Sequence, residues 1–203
     1  MPRWPAAVAL LAIGASYLAL SGYVTIGPPV WLPGLMAVLV VPLMGSHTRG
    51  HYRLARAISF VLIGAATVSV ALSAFLLIGT LPGRGATASS VLVDAALIWN
   101  SNVVTFAVWY WEIDGGGPAE RRTDAHASED FLFPQMDRQE GREAADWAPG
   151  FLDYLFLAFN TSAAFSPTDT PVLSRKAKVL TMVQSVLSLV VVIVLVGWAV
   201  NTL

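Results

Sequence analysis

Cysteine is absent from all 203 residues, which excludes disulfides, thiolate nucleophiles and thiolate metal sites. Charge is scarce: Asp, Glu, Lys and Arg make up 12% of the chain, about half the roughly 25% usual for soluble domains. Lysine is nearly missing, with two against ten arginines, a bias that fits a bacterium of high genomic GC content. A net charge of −1 and the lack of a basic run leave no argument for nucleic acid as a partner. No G-x-S-x-G, Walker A or H-E-x-x-H pattern occurs, and no spacing brings Ser, His and Asp together. The chain therefore reads as a non-enzyme without a cofactor. His47 and His51 stand four apart, but Gly50 intervenes, three arginines are near, and no carboxylate or cysteine accompanies them. No metal site is expected.

Apolar sequence is what the chain has in quantity, at 56% of residues. A helix needs roughly 20 such residues to cross about 30 Å of hydrocarbon. Residues 5–23 meet that length without a charge. A cleaved signal peptide competes for the same stretch, with Arg3 as its basic start and Ala19-Leu20-Ser21 as a cleavage-like site. Residues 30–45 carry Pro33 and Pro42 and read as a kinked second span. Residues 57–81 are the cleanest span, and Ala65, Ser69 and Ser73 form a small-residue stripe suited to close helix packing, including between copies in a homo-oligomer. Residues 89–113 are a more polar fourth span ending in the aromatic belt Trp109, Tyr110 and Trp111. A hydrophilic loop over 114–150 follows, with nine acidic and four basic residues and the apolar island Phe131-Leu132-Phe133-Pro134. Its composition predicts local disorder. Residues 151–165 form a short fifth element, and a long last helix starts near the N-cap Ser174.

The expected fold is all-α: a polytopic transmembrane bundle of about six helices, surrounded by the lipid bilayer of a bacterial cytoplasmic (inner) membrane. It divides into a four-helix region (1–113), the hydrophilic loop (114–150), and a short helix, polar turn and terminal helix (151–203). With the N-terminus inside, Arg3 and the loops at 46–56 and 114–150 place eight of the twelve basic residues in the cytoplasm. Two arrangements of 151–165 follow. If it spans, there are six helices and both termini are cytoplasmic; if it re-enters from the cytoplasm, there are five spans, with eleven basic residues inside.

The stretch Phe159-Asn160-Thr161-Ser162-Ala163-Ala164-Phe165-Ser166-Pro167-Thr168-Asp169, followed by Pro171, Ser174 and Arg175-Lys176, resembles the pore helix, filter and inner helix of potassium-channel-like proteins. It lacks the glycines of T-V-G-Y-G, whose carbonyls replace an ion's water shell, so potassium selection by that device is not expected. Together, "FAVWYWEIDGGGP" at 106–118, "DFLFP" at 130–134, the 151–178 segment and the terminal "AVN" resemble the bacterial integral-membrane family called domain of unknown function 1345. That resemblance covers roughly 95–203 and implies an architecture without an assigned chemistry.

Ionisable groups inside a span cost about 2.5–3.5 kcal/mol on insertion scales and ask for a reason. Steps of 100° put Asp94, Ser101, Thr105 and Glu112 on one line of the fourth helix, with Asn102 beside it. Asp153 and Asn160 share a face of the fifth element; Thr181, Gln184 and Ser188 share one of the last helix. Asp94, Asn102, Asp153, Asn160, Thr161, Ser162, Asp169 and Gln184 are thus the candidate polar pathway, for a monovalent ion if the protein is a channel or transporter-like permeation protein. The other reading is a non-conducting structural or partner-binding membrane protein. In it these groups are interhelical hydrogen bonds, and Ser166, Pro167 and Asp169 make a capped turn.

Overall fold

The computed structural model describes residues 3–79, 87–121, 129–137, 147–164 and 169–201. Among the described residues there are seven helices: α1 (Trp4–Ala19), α2 (Trp31–Thr48), α3 (Tyr52–Ile78), α4 (Ala88–Ile113), α5 (Pro134–Asp137), α6 (Phe151–Ala164) and α7 (Arg175–Asn201). A short 3-10 turn, Asp114–Gly116, closes α4. Among the described residues the one β-type pairing is an isolated antiparallel bridge between Phe131 and Val172. Three helical stretches, Tyr52–Ile78, Ser89–Gly116 and Arg175–Trp198, are long and apolar enough to cross a membrane; α1 and α2 are apolar but shorter.

The helix starts carry readable signals. A proline in the first turn presets φ for α1. Thr87 and Ser90 form a reciprocal capping box on α4. Ser174 Oγ accepts a hydrogen bond from Ala177 N at 3.2 Å, so the N-cap expected for the last helix is there.

Side-chain pairs fix the direction of each helix. Arg3, just before α1, reaches Glu112 at the end of α4 and Ser59 near the start of α3, which defines a first end of the bundle. At the second end, Ser21 after α1 donates its N–H to Asp94 near the start of α4, at 3.0 Å. Trp31, opening α2, packs edge-on to Tyr17 near the close of α1. So α1 and α3 run from the first end to the second, and α2 and α4 run back. The last helix also begins at the first end, where Lys176 Nζ donates to Ile113 O at 3.3 Å. Val191 and Val194 then pack with Val91, Ala95 and Ile98 near the second.

The short helix α6 begins at that same first end, where Tyr154 Oη donates to Asp114 Oδ2. At 14 residues it extends only about 21 Å, and its Phe159 meets Trp99 at the middle of α4. Residues 170–173 lie back at the first end: Leu132 N donates to Pro171 O and Leu173 N to Asp130 O. The helices α6 and α7 thus start from the same end, and α6, at 14 residues, is about half as long as α7. Three helices are long and apolar enough to cross a membrane, so the expected count of about six is not confirmed.

Two further expectations change. Ser69 and Ser73, 3% and 2% exposed, face inward beside Ile13 and Tyr17 of α1 and Ser101 of α4. That stripe is consumed within the chain and is not free to join copies. The described part of the 114–150 loop is packed: Asp114 through Gly117, Asp130, Phe131 and Phe133 are all buried. Residues 122–128 and 138–146 of that loop lie outside the described residues. At the other end of the chain, α1 supplies Leu10, Ile13 and Tyr17 to the core. A Cβ on Gly14 would lie 3.0 Å from Pro33 Cα of α2, so α1 is an integral wall of the bundle.

Arg3 and Glu112 form a forked pair, with Nη1 to Oε1 at 3.0 Å and Nη2 to Oε2 at 3.4 Å, both side chains essentially shielded from solvent. Removing one partner of a buried pair strands the other charge and costs about 3–5 kcal/mol, whereas replacing both is often neutral. Glu112→Gln should accordingly lower the unfolding temperature in detergent far more than the double change Arg3→Met with Glu112→Leu. Equal losses in the two proteins would show that the pair does not join the helix ends.

Candidate functional site

Three polar groupings share the half of the bundle built by α4, α6 and α7. The first is a knot at the end of α4. Gly115, Gly116 and Gly117 have φ of 56°, 84° and 95°, left-handed values that glycine adopts without penalty. A Cβ on Gly117 would sit 2.9 Å from Glu112 O, so this turn accepts little else. The turn buries the Asp114 carboxylate, and the chain surrounds it with donors. Asp130 N reaches Oδ1 at 2.7 Å, Phe131 N reaches it at 3.3 Å, and Tyr154 Oη reaches Oδ2 at 2.5 Å. Arg121 lies 3.8 Å from Oδ2 and stacks over the Tyr154 ring at 4.9 Å. Its guanidinium also donates to Trp111 O at 2.5 Å, closing an orphan carbonyl of α4. Lys176 Nζ, 2.9 Å from Asp130 Oδ2, adds the start of α7.

The second grouping is a hydrogen-bond network in the core. Gln184 on α7 is fully buried. Its Nε2 donates to Ala158 O and Ser162 Oγ of α6, each at 2.7 Å, and its Oε1 accepts from Tyr110 Oη of α4. Asn102 Nδ2 of α4 donates to Gln184 O at 3.1 Å and Ser188 Oγ at 2.8 Å. Thr161 turns its hydroxyl back to Leu157 O at 2.8 Å. Gln184 thereby bonds to both α4 and α6.

The third grouping is a cleft of about 420 Å³ beside α6. Asp153, Phe156, Leu157, Asn160 and Ala164 form its α6 wall; Asp169, Thr170 and the Phe133-Pro134-Gln135 corner close the other sides. Asp153 Oδ2 accepts from Gly150 N at 2.7 Å, capping the helix start.

The eight expected residues therefore do not form one pathway. Asn102, Thr161, Ser162 and Gln184 lie in the α4–α6–α7 contact, four of them within a dense core. Asp153, Asn160 and Asp169 line the cleft. Asp94 is apart, near the second end, with Oδ1 held by Ser21 N and its buried Oδ2 without a hydrogen-bond partner among the described residues. Ser166 and Pro167 of the expected capped turn lie outside the described residues. No group of three metal-ligating side chains occurs among the described residues.

The Asp114 knot was not anticipated. Its signal was present in the three glycines directly after an apolar span, a run that permits a turn too tight for other residues. Composition hid it, because averaging Asp114 and Asp130 with the rest of 114–150 makes buried anchors look like solvated charge.

No protein-family model matches the chain, nor does any curated protein or solved structure. These comparisons add no support to the two resemblances noted above.

Loss of a buried acceptor or donor that leaves its partner unsatisfied costs about 1–3 kcal/mol, while intramembrane hydrogen bonds average about 0.6 kcal/mol in coupling. Gln184→Leu, which strands Tyr110 and Ser162 together, should destabilise by about 2 kcal/mol or more. Ser162→Ala should cost well under half of that. A double-mutant cycle on these two positions in detergent unfolding checks the link; strictly additive losses would mean that the bond between α6 and α7 contributes nothing.

Proposed function

We propose that the protein is a multi-pass protein of the bacterial cytoplasmic (inner) membrane. On this reading it is a permeation protein for small cations, and the α6 cleft is its cytoplasmic mouth. The observation that carries the reading is the half-length helix. Irregular backbone at membrane depth is tolerated where protein buries it or where it lines an aqueous cavity, and α6 lies against a cleft bearing Asp153, Asn160 and Asp169. Its carboxyl end, at Ala164, lines the same cleft, and a helix carboxyl terminus carries about half a negative charge. The order of a full helix, a half helix and a full helix in α4, α6 and α7 also fits the resemblance to channel pore regions.

Orientation follows from charge. All eight described Lys and Arg residues (Arg3, Arg49, Arg53, Arg56, Arg121, Arg175, Lys176 and Lys178) belong to segments at the first end. The positive-inside rule makes that end cytoplasmic, so α6 re-enters from the cytoplasm and the chain's two termini lie on opposite faces. A reporter fused after Leu203 is expected to read periplasmic and one fused at the N-terminus cytoplasmic. Two cytoplasmic readings would restore the six-helix alternative.

A non-conducting structural or partner-binding role is the second reading, favoured by the core network in which protein partners match both ends of the Gln184 amide and leave no conduit. On the permeation reading the route lies along the cleft flank of α6, outside that network. Purified protein in liposomes separates the two, with potassium, sodium, proton and methylammonium gradients tried in turn. Permeation requires a cation flux that falls several-fold in Asp169→Ala and Asn160→Leu; a flux that is absent, or indifferent to both changes, leaves the structural role.

A further inference from the structure

We infer that the α6 cleft is a binding site for an organic ammonium cation, a protonated amine or a quaternary ammonium group, and not for a bare metal ion. This rests on reading the cleft as a cation site, and it specifies the cation. Size is the first argument. A cleft of about 420 Å³ falls within the roughly 300–1,000 Å³ of small-molecule pockets and is many times the ~30 Å³ share of a water molecule. A potassium or sodium ion needs oxygens on several sides to replace its hydration shell. Here the carboxylates and the amide project from parts of the lining, and carbon fills the spaces between.

The lining chemistry points the same way. Phe133, Pro134, Phe156, Leu157 and Ala164 form an apolar wall, and the exposed Phe156 ring offers the π surface that attracts alkylated ammonium groups. Asp153 and Asp169 supply negative charge, and among the described residues no Lys or Arg lines the cleft. Asn160 is only half-buried, and neither its amide nor the Asp169 carboxylate makes a side-chain hydrogen bond to the described residues. An N–H-bearing cation would satisfy both, while its alkyl carbons would cover Phe156 and Leu157. A bare ion would leave that apolar wall wet.

Calorimetric titration of the intact chain in nanodiscs tests this, with butylammonium and tetramethylammonium chloride as probes and potassium and sodium chloride as controls at constant ionic strength. Saturable binding of at least one ammonium probe is expected. Asp169→Asn should weaken it by about five-fold, the size of a partly exposed charge contact; Asp169 is exposed, so the variant keeps its fold. Asn160→Leu should weaken butylammonium more than tetramethylammonium, which has no N–H to donate. Binding of potassium or sodium alone would overturn the organic-cation assignment and leave the cation reading intact. No binding of any probe up to about 10 mM would remove both, and ammonium binding unchanged in both variants would move the site elsewhere.

Discussion

A carboxylate buried where a membrane-length helix ends has to be given donors, and the way Asp114 is given them dictates the layout of the C-terminal half. Its two oxygens accept from the backbone of Asp130 and Phe131 and from the hydroxyl of Tyr154. These partners lie 16, 17 and 40 residues away. One short side chain therefore fixes the register of the 130–133 segment and the first turn of α6 together. That segment then binds residues 171–173 through two backbone hydrogen bonds, while Asp130 holds Lys176 at the head of α7. The chain is brought back to its starting end before α7 begins, and α6 has no second end to reach. An unpaired buried charge costs several kcal/mol, so the hydrogen bonds and the Arg121 ion pair act as one unit. The common starting end of α6 and α7 follows from that unit, as the shortness of α6 by itself would not require it.

The four apolar helices before the knot were legible because each carries an apolar run, although of these only α3 and α4 are long enough to cross a membrane. Thr87 and Ser174 set their helix starts by local hydrogen bonds, which is why sequence near each start announces them. The fate of 151–164 was not legible in the same way. Fourteen residues, ten of them apolar, are compatible with a thin span and with a half helix, and the contacts that place them come from Asp114 and Asp130, far off in sequence. Hydropathy averages also treat a charge as solvated by default. Arg3, Glu112, Asp114 and Asp130 break that assumption, since each is at most 3% exposed.

The stripe of Ala65, Ser69 and Ser73 illustrates the limit of periodicity. Spacing of four residues identifies one face of α3 as small, which is a statement about how closely something approaches. It does not say which helix approaches. In this bundle α1 and α4 take the place, and Gly14 against Pro33 repeats the device between α1 and α2. The outer surfaces of α3 and α7 are left with large aliphatic groups such as Val61, Val68, Phe75, Val186 and Ile193, which suit lipid.

The polar residues of 153–169 divide by depth and facing, and the division carries a functional consequence. Thr161 and Ser162 are buried on the inner side of α6, where Ser162 accepts from Gln184 and Thr161 bonds back to Leu157 O. Asp153 and Asn160, seven residues apart, sit on the other side, where the neighbouring elements offer carbon from Phe133 and Pro134 and a second carboxylate from Asp169. Asp153 is held by Gly150 N at the start of α6, while Asn160 and the exposed Asp169 are left to water or a ligand. The short helix thus divides the segment: one face joins α7, and the opposite face lines the cleft.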